Sequence, residues 1–353
     1  MSYQDRYVFL PKLSIEPNKA SSFNQMFIKD YDNERLYLPQ EKRKNSVIRF
    51  KNINETNTIV KKYHGFKISD NAYRTLKRRI NWLYYLSKSK QVTTYNGKRI
   101  YNFKIGFLTL TLPSKQKTNT QDITNRLFNQ FLTELRSRTK MVNYVWRLEF
   151  QNNGNVHYHL VTDTYLDYFF VLKIWNRIIS KDGYVSDYQN KFKDLSLLEY
   201  RKKVDPEYKG DFNLIAKRYA KGKSNNWSQP NTIDLKSVIS KTSIASYLSK
   251  YFSKGDNGET IKNELDNEEN SKGLRLWFCS RALSKLKSVC EFVDAIDFDC
   301  NILFDGLEMV RKYAHKYAVC YYFEIKNLPN YLKIFISKLL KDYSIKQGYI
   351  PSS

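Results

Sequence analysis

Apolar residues occupy every second position in two neighbouring stretches near the middle of the chain, residues 144–150 and 156–160. Such alternation predicts β-strands that each have one apolar and one polar face. The short segment between the two stretches contains the pair Asn153-Gly154, which is typical of a tight turn. The pattern therefore predicts a β-hairpin.

The register of this predicted hairpin brings two histidines opposite charged residues. A turn that is symmetric about Asn153 places Glu149 opposite His157 and Arg147 opposite His159. The same register forms apolar pairs on the other face, namely Phe150 with Val156, Leu148 with Tyr158, and Trp146 with Leu160. Because a slip of one residue would move every side chain to the wrong face, we expect this register to be strongly preferred.

Further periodic segments flank the hairpin. Strands are predicted at about 104–112, 232–238 and 274–279, and helices at about 122–138 and 163–180. Another helix is predicted from Asn71, with an apolar stripe formed by Tyr73, Leu76, Ile80 and Leu83. Its opposite side carries the basic residues Arg74, Lys77, Arg78 and Arg79, and we expect Arg74, Lys77 and Arg78 to bind DNA. The nearby aromatic residues Trp82, Tyr84 and Tyr85 either stack on bases or pack in the core.

The charge of the chain indicates what kind of partner it binds. The 353 residues include 60 Lys and Arg against 35 Asp and Glu, a formal net charge of +25. This excess favours an anionic polymer, because binding releases the counterions of its phosphates. We expect nucleic acid rather than a membrane, since no apolar run approaches about 20 residues, and no signal-peptide pattern opens the chain. The four cysteines form no Cys-x-x-Cys pair, so buried free thiols in a reducing cytoplasm are expected.

A tyrosine-rich segment, residues 244–254, has helical spacing. Thr242 and Ser243 can cap its start and Gly255 its end. One face of this predicted helix carries Tyr247, Lys250, Tyr251 and Lys254. A tyrosine with its ordinary pKa of about 10 is a weak nucleophile, but a neighbouring cation stabilises the phenolate. The segment is therefore either a catalytic helix or an ordinary exposed helix face.

The two histidines of the hairpin are candidate metal ligands. His157 and His159 lie two residues apart on the same face of one strand, and Glu149 faces the same point. Two imidazoles and a carboxylate suit a divalent cation such as Mg²⁺ or Mn²⁺ that acts as a Lewis acid on a phosphate.

The remaining segments show little periodicity. Residues 184–230 are basic and predict an irregular insertion, which either faces DNA through residues such as Lys202 and Lys203 or is a solvated loop. The acidic residues 256–272 predict a loop. We therefore expect an N-terminal arm (1–65), a central domain (66–290) and a C-terminal extension (291–353).

Taken in order, these motifs resemble those of HUH endonucleases, in particular the two-tyrosine rolling-circle replication initiators (Rep) of small circular single-stranded DNA phages and related plasmids. The first motif is the run from Phe107 to Pro113. The second is Glu149 with His157-Tyr158-His159, and the third is the Tyr-x-x-Lys-Tyr-x-x-Lys segment from Tyr247 to Lys254. The resemblance spans about residues 70–290, and the second and third motifs are specific only together.

The resemblance implies an α+β fold with a central antiparallel sheet of about five strands, flanking helices and histidines on a central strand. The roles that it implies are metal binding by His157, His159 and Glu149, nucleophilic attack by Tyr247 and Tyr251, and phosphate contact by Lys250 and Lys254. Arg147 is an additional candidate for DNA binding. The implied activity is nicking of single-stranded DNA at an origin with a 5′-phosphotyrosine link, followed by rejoining, with a helicase and a polymerase supplied by a bacterial host.

Two other functions are compatible with the same motifs. A two-tyrosine transposase or plasmid relaxase would use the same chemistry on a different DNA. A non-enzymatic single-stranded DNA-binding protein would use the tyrosines only to stack on bases. Metal dependence separates the two enzymes from the binding protein.

Overall fold

A computed structural model describes residues 7–30, 35–37, 68–94, 96–151, 153–238, 274–292, 303–315 and 318–350. The predicted tyrosine helix and the predicted acidic loop lie outside the described residues. The chain divides into two compact units, which are described separately below. One unit contains His64–Ser284 with Ile350–Ser353, and the other contains Met1–Tyr63 with Lys285–Tyr349.

The strands, in chain order, are β1 (Tyr7–Glu16), β2 (Lys19–Asp30), β3 (Arg35–Tyr37), β4 (Lys90–Thr93), β5 (Arg99–Phe103), β6 (Ile105–Thr111), β7 (Tyr144–Phe150), β8 (Val156–Thr162), β9 (Ile233–Val238), β10 (Trp277–Cys279), β11 (Val289–Phe292), β12 (Arg311–His315) and β13 (Ala318–Tyr322). The helices are α1 (Asp70–Leu86), α2 (Thr120–Asp122), α3 (Asn129–Thr139), α4 (Tyr168–Ser180), α5 (Tyr184–Phe192), α6 (Leu197–Val204), α7 (Phe212–Ser224), α8 (Arg281–Lys285) and α9 (Asn330–Lys346). A π-helical segment (Ile123–Phe128) joins α2 to α3. None of the described helices is long and apolar enough to cross a membrane.

A five-stranded antiparallel sheet forms the centre of the unit that contains residues 64–284. Its strand order is β10-β7-β8-β6-β9, so β8 is the middle strand. The predicted α+β fold with a five-stranded antiparallel sheet is therefore confirmed, as is the placement of His157 and His159 on a central strand.

The β7–β8 hairpin has the predicted register. Glu149 faces His157 and Arg147 faces His159, and the three apolar pairs also form as expected. The turn closes through a hydrogen bond from the Gln151 amide to the Asn155 carbonyl, 2.8 Å long. Gly154 adopts a positive φ of 80°, a conformation that glycine reaches without steric cost.

The apolar face of this sheet packs against the segment from α2 to α3 and against α4. Phe128 stacks on Tyr158 with ring centroids 4.0 Å apart, and Phe131 contacts Trp175 edge-on. The Trp175 indole donates to the Thr111 carbonyl at 2.9 Å, which ties α4 to the sheet. The two helices predicted at 122–138 and 163–180 are thus present, and their apolar stripes cover the sheet as an amphipathic helix does.

Helix α1 contacts β7 and β10. Leu76, Ile80 and Leu83 are buried, as the predicted stripe requires. Trp82 is completely buried, which supports the core interpretation rather than stacking on bases. Arg79, predicted to share the exposed basic side, is instead buried, because it lies between the buried positions Leu76 and Ile80 on the helix surface.

The prediction of an irregular insertion over 184–230 is wrong. This segment forms α5, α6 and α7, which enclose a small core made of Phe192, Tyr200, Ile215 and Trp227. Helix α6 begins with a capping box between Ser196 and Glu199. Each helix is short and contributes a single residue to this core, so its periodicity is hidden in the basic sequence.

The other unit contains a second antiparallel sheet, in which β11-β1-β2-β13-β12 are neighbours in that order and β3 pairs with β2. Leu13, Ile15 and Tyr321 are buried in it. These strands occupy residues 7–30, where the sequence pattern predicted no regular element, and they pair with strands from beyond residue 288. The predicted boundaries of the arm, the central domain and the extension stay a prediction.

Candidate functional site

Polar side chains form two adjacent rows across one face of the five-stranded sheet. In the first row Thr111, His157 and Glu149 face one another on β6, β8 and β7. In the second row, Asp234, Thr109, His159 and Arg147 lie on β9, β6, β8 and β7. Because side chains alternate along a strand, both rows point away from the apolar core.

His159 is the most strongly held residue of this cluster. Its side chain is only 1% exposed, and its Nε2 lies 3.2 Å from Oε2 of Glu149. On the other side of the ring, Nδ1 lies 3.1 Å from the Thr109 hydroxyl. A carboxylate only accepts hydrogen bonds, so in the neutral ring the proton sits on Nε2 and the Thr109 hydroxyl donates to Nδ1. The ring orientation is thus held from both sides.

His157 stacks on His159 with ring centroids 4.6 Å apart. Its Nε2 is buried and has no hydrogen-bond partner among the described residues. Burial, and secondarily the neighbouring His159, lower the pKa of His157 to about 3. His157 is therefore neutral at physiological pH, and it offers a nitrogen lone pair toward the polar face.

The chemistry of these three side chains fits a divalent cation. His157 presents an unpaired buried nitrogen, and a cation can replace the proton that Nε2 of His159 shares with Glu149. Among the residues that the structure describes, however, no three His, Cys, Asp or Glu side chains are already grouped as a metal site. One reason is that Oε1 of Glu149 forms an ion pair with Nη1 of Arg147, 3.3 Å away. Metal binding by His157, His159 and Glu149 stays a prediction.

Arg147 was predicted to bind DNA, and the structure gives it a different environment. Its side chain is only 8% exposed and pairs with Glu149. In this arrangement Arg147 holds Glu149 in place, and contact with a phosphate would require the ion pair to open.

The other predicted DNA-binding residues lie on helices. Arg74 and Lys77 are exposed on α1, and Arg78 is partly exposed. Lys202 and Lys203 are exposed at the end of α6, where the Lys203 ammonium donates to the Lys191 carbonyl at 3.1 Å. These positions suit phosphate contacts, and their role in DNA binding stays a prediction.

The predicted nucleophiles Tyr247 and Tyr251, with Lys250 and Lys254, lie outside the described residues. Strand β9 ends at Val238, so the first of these tyrosines follows nine residues later along the chain (238 to 247). β9 is the edge strand next to β6, which itself neighbours the histidine strand.

Sequence reasoning assigned no role to Thr109, although it belongs to the first motif. The threonine contacts His159 only because β6 pairs with β8, and these strands are separated by more than 40 residues of sequence. The alternation of Thr109 and Thr111 with leucines marked a polar strand face but carried no information about the partner strand.

An α+β sheet with two histidines and a glutamate on the polar face of its middle strands defines a class of protein suited to phosphate chemistry. Residues 105–256 match the model of a family of replication-associated proteins, the ORF2 type. The matched region includes the histidine hairpin and also the residues from Tyr247 to Lys254. No curated protein and no solved structure matches the chain. The similarity to this family supports a role in DNA replication.

Proposed function

We propose that this protein initiates DNA replication by nicking single-stranded DNA at an origin, through attack of a tyrosine on a phosphodiester. The observation that carries the proposal is the cluster of Glu149, His157 and His159 on the polar face of the central sheet, within the region that resembles the replication-associated family. A structural role alone does not account for a buried histidine nitrogen without a partner among the described residues.

The nicking step involves one of the two tyrosines. The phenol oxygen of Tyr247 or Tyr251 attacks the scissile phosphorus, and a bond forms between the tyrosine oxygen and phosphorus. The bond from phosphorus to the 3′ oxygen breaks, and the 3′ oxygen takes up the proton that the phenol loses. The products are a 5′-phosphotyrosine link and a free 3′-OH, from which a host polymerase extends.

The charged groups of the site have complementary roles. A divalent cation, Mg²⁺ or Mn²⁺, held by His157, His159 and Glu149, would withdraw charge from the phosphate oxygens. Lys250 and Lys254 lie three residues after Tyr247 and Tyr251, so each phenol has an equivalent cation on the same helix face.

Two tyrosines allow one molecule to complete a round of replication. While the first tyrosine holds the 5′ end, the second cuts the regenerated origin, and the new 3′-OH attacks the first link to close a circle. The energy of the phosphodiester is kept in the phosphotyrosine bond, so this exchange needs no ATP. Separation of the strands then depends on a host helicase.

The test is an incubation of the full chain with circular single-stranded DNA and Mg²⁺ or Mn²⁺, followed by a denaturing gel. We expect a covalent protein–DNA adduct that disappears with excess EDTA. The His157→Ala/His159→Ala variant and the Tyr247→Phe/Tyr251→Phe variant should form no adduct. Tyr331→Phe, which alters a tyrosine that is 60% exposed on α9, is the matched control and should form it normally.

Each alternative function has a distinct outcome in this assay. A chain that binds DNA but forms no adduct with any divalent metal would be a non-enzymatic binding protein. A chain that forms adducts but releases no circles from a replicating origin would fit a two-tyrosine transposase or a plasmid relaxase. The single variants Tyr247→Phe and Tyr251→Phe should each retain some adduct and lose circle release.

A further inference from the structure

A cavity of about 370 Å³ lies beside edge strand β9 of the five-stranded sheet. Three segments surround it: the turn and second strand of the β4–β5 hairpin, the loop that leads into α4, and residues 235–237 of β9. The volume falls in the range of sites for small organic ligands, about 300–1,000 Å³. None of its lining residues belongs to the histidine cluster.

The cavity wall is rich in aromatic rings. Phe103 and Tyr165 meet edge-on with ring centroids 5.5 Å apart, and Tyr168 and Phe169 meet edge-on at 5.3 Å. Phe169 is 51% exposed, an unusual position for a phenylalanine at the start of a helix. Rings on several sides of an open cavity are the arrangement that binds a flat aromatic group by stacking.

The charged groups around the opening favour an anionic ligand. Lys98 is exposed in the hairpin turn, and the Lys236 side chain is half exposed. The one carboxylate in the lining, Asp167, accepts a hydrogen bond from the Phe170 amide at 3.0 Å and caps α4. A ligand with an aromatic body and a phosphate matches both the wall and the rim.

The cavity lies close to the histidine cluster along the sheet. Asp234 shares a row with Thr109 and His159, and Lys236 is two residues further along β9. Two strand spacings of about 4.8 Å and two residues of about 3.4 Å place Lys236 roughly 12 Å from His159. At the rise of about 3.4 Å per nucleotide in a B-form strand, that distance corresponds to about three or four nucleotides.

The geometry points to a binding site for one unpaired nucleobase of the DNA strand, a few nucleotides from the phosphate that is cut. This inference rests on the proposed function in that the ligand is single-stranded DNA. The base would stack among Tyr165, Tyr168 and Phe169, while Lys98 and Lys236 contact the neighbouring phosphates. Such a site would fix the register of the strand over the histidine cluster, and it would tolerate any base, because each base has a face that stacks.

The experiment uses the full chain and a thymidine oligonucleotide of about 20 nucleotides that carries one 5-bromodeoxyuridine. After ultraviolet irradiation, mass spectrometry should locate the cross-link at Tyr165, Tyr168 or Phe169. In parallel, fluorescence anisotropy should show that Phe169→Ala weakens binding about tenfold. The matched control is Tyr101→Ala, which removes an aromatic ring that is 63% exposed on the same hairpin but outside the cavity lining, and it should bind like the unaltered chain.

The outcomes distinguish this inference from the proposed function. Cross-links elsewhere, together with equal affinity of Phe169→Ala and Tyr101→Ala, would overturn the base-binding site even if covalent adducts form normally. Cross-links in the cavity without any metal-dependent adduct would support the base-binding site and overturn the nicking chemistry. Stronger loss of binding in Tyr101→Ala than in Phe169→Ala would move the stacking surface to the outer face of the hairpin and also refute the inference.

Discussion

The low pKa of His157 makes a quantitative prediction about stability in acid. Burial lowers this pKa to about 3, whereas an exposed histidine titrates near 6.5. The unfolded chain therefore binds a proton that the folded chain refuses between these two values. The stability contributed by neutral His157 is complete above about pH 6.5 and is lost as the pH falls toward 3. Each pH unit in this window costs about 1.4 kcal/mol, so a change from pH 7 to pH 5 should cost about 2 kcal/mol.

Urea unfolding in the presence of EDTA, followed by tryptophan fluorescence, measures this effect. Other groups also titrate between pH 7 and pH 5, so the informative quantity is the difference between the original chain and His157→Gln, which cannot take up the proton. Between these two pH values, the free energy of unfolding of the original chain should fall by about 2 kcal/mol more than that of His157→Gln.

His315→Gln is the matched control, because His315 is exposed on β12. Its free energy of unfolding should fall with pH in parallel with that of the original chain. If the curve of His157→Gln also ran parallel to that of the original chain, the His157 ring would be accessible to protons in the folded state. The argument that burial keeps this imidazole neutral and ready to bind a cation would then be refuted.

Four further predictions follow from the charges and the packing. Replacing Lys202 and Lys203 with Gln should weaken binding to single-stranded DNA and reduce the slope of log affinity against log salt by about 1.4, and an unchanged slope would place both residues off the DNA path. Arg147→Met removes the ion-pair partner of Glu149 and should lower the free energy of unfolding by about 3 kcal/mol in urea titrations, whereas a neutral effect would mean that solvent already compensates this carboxylate. Trp227→Ala should destabilise α5–α7 by about 3 kcal/mol and expose them to limited proteolysis, and continued protease resistance would contradict the small core seen there. Nicking and rejoining should proceed at the same rate with and without ATP, measured by adduct formation and circle release, so a strict requirement for ATP would contradict storage of energy in the phosphotyrosine bond.

The β7–β8 hairpin shows how much local sequence determines. Its register was predictable because one short turn joins the strands and because period-two alternation penalises any slip. The facing of Glu149 with His157 therefore follows from a few consecutive residues, and so does the presence of both histidines on one polar face.

Contacts between distant segments were not predictable in the same way. Thr109 reaches His159, and β1 reaches β11 and β2 reaches β13, only through strand pairing across long stretches of chain. Alternation identifies the faces of a strand but not its neighbour, since backbone hydrogen bonds are the same for any partner. The cavity beside β9 is of this kind too, because its wall combines three segments that no sequence motif links.

The helices α5, α6 and α7 illustrate a third case. Their interior consists of four buried residues shared among separate short segments, so no single window shows a clear helical stripe. What the sequence determined by itself was the hairpin, the histidine pair, the major helices and the positive charge, all of which depend on local spacing or on composition. Tertiary structure alone decided which side chains hold His159, that Arg147 pairs with Glu149 instead of facing solvent, and which distant segments enclose the aromatic cavity, because each of these depends on packing between residues far apart in the chain.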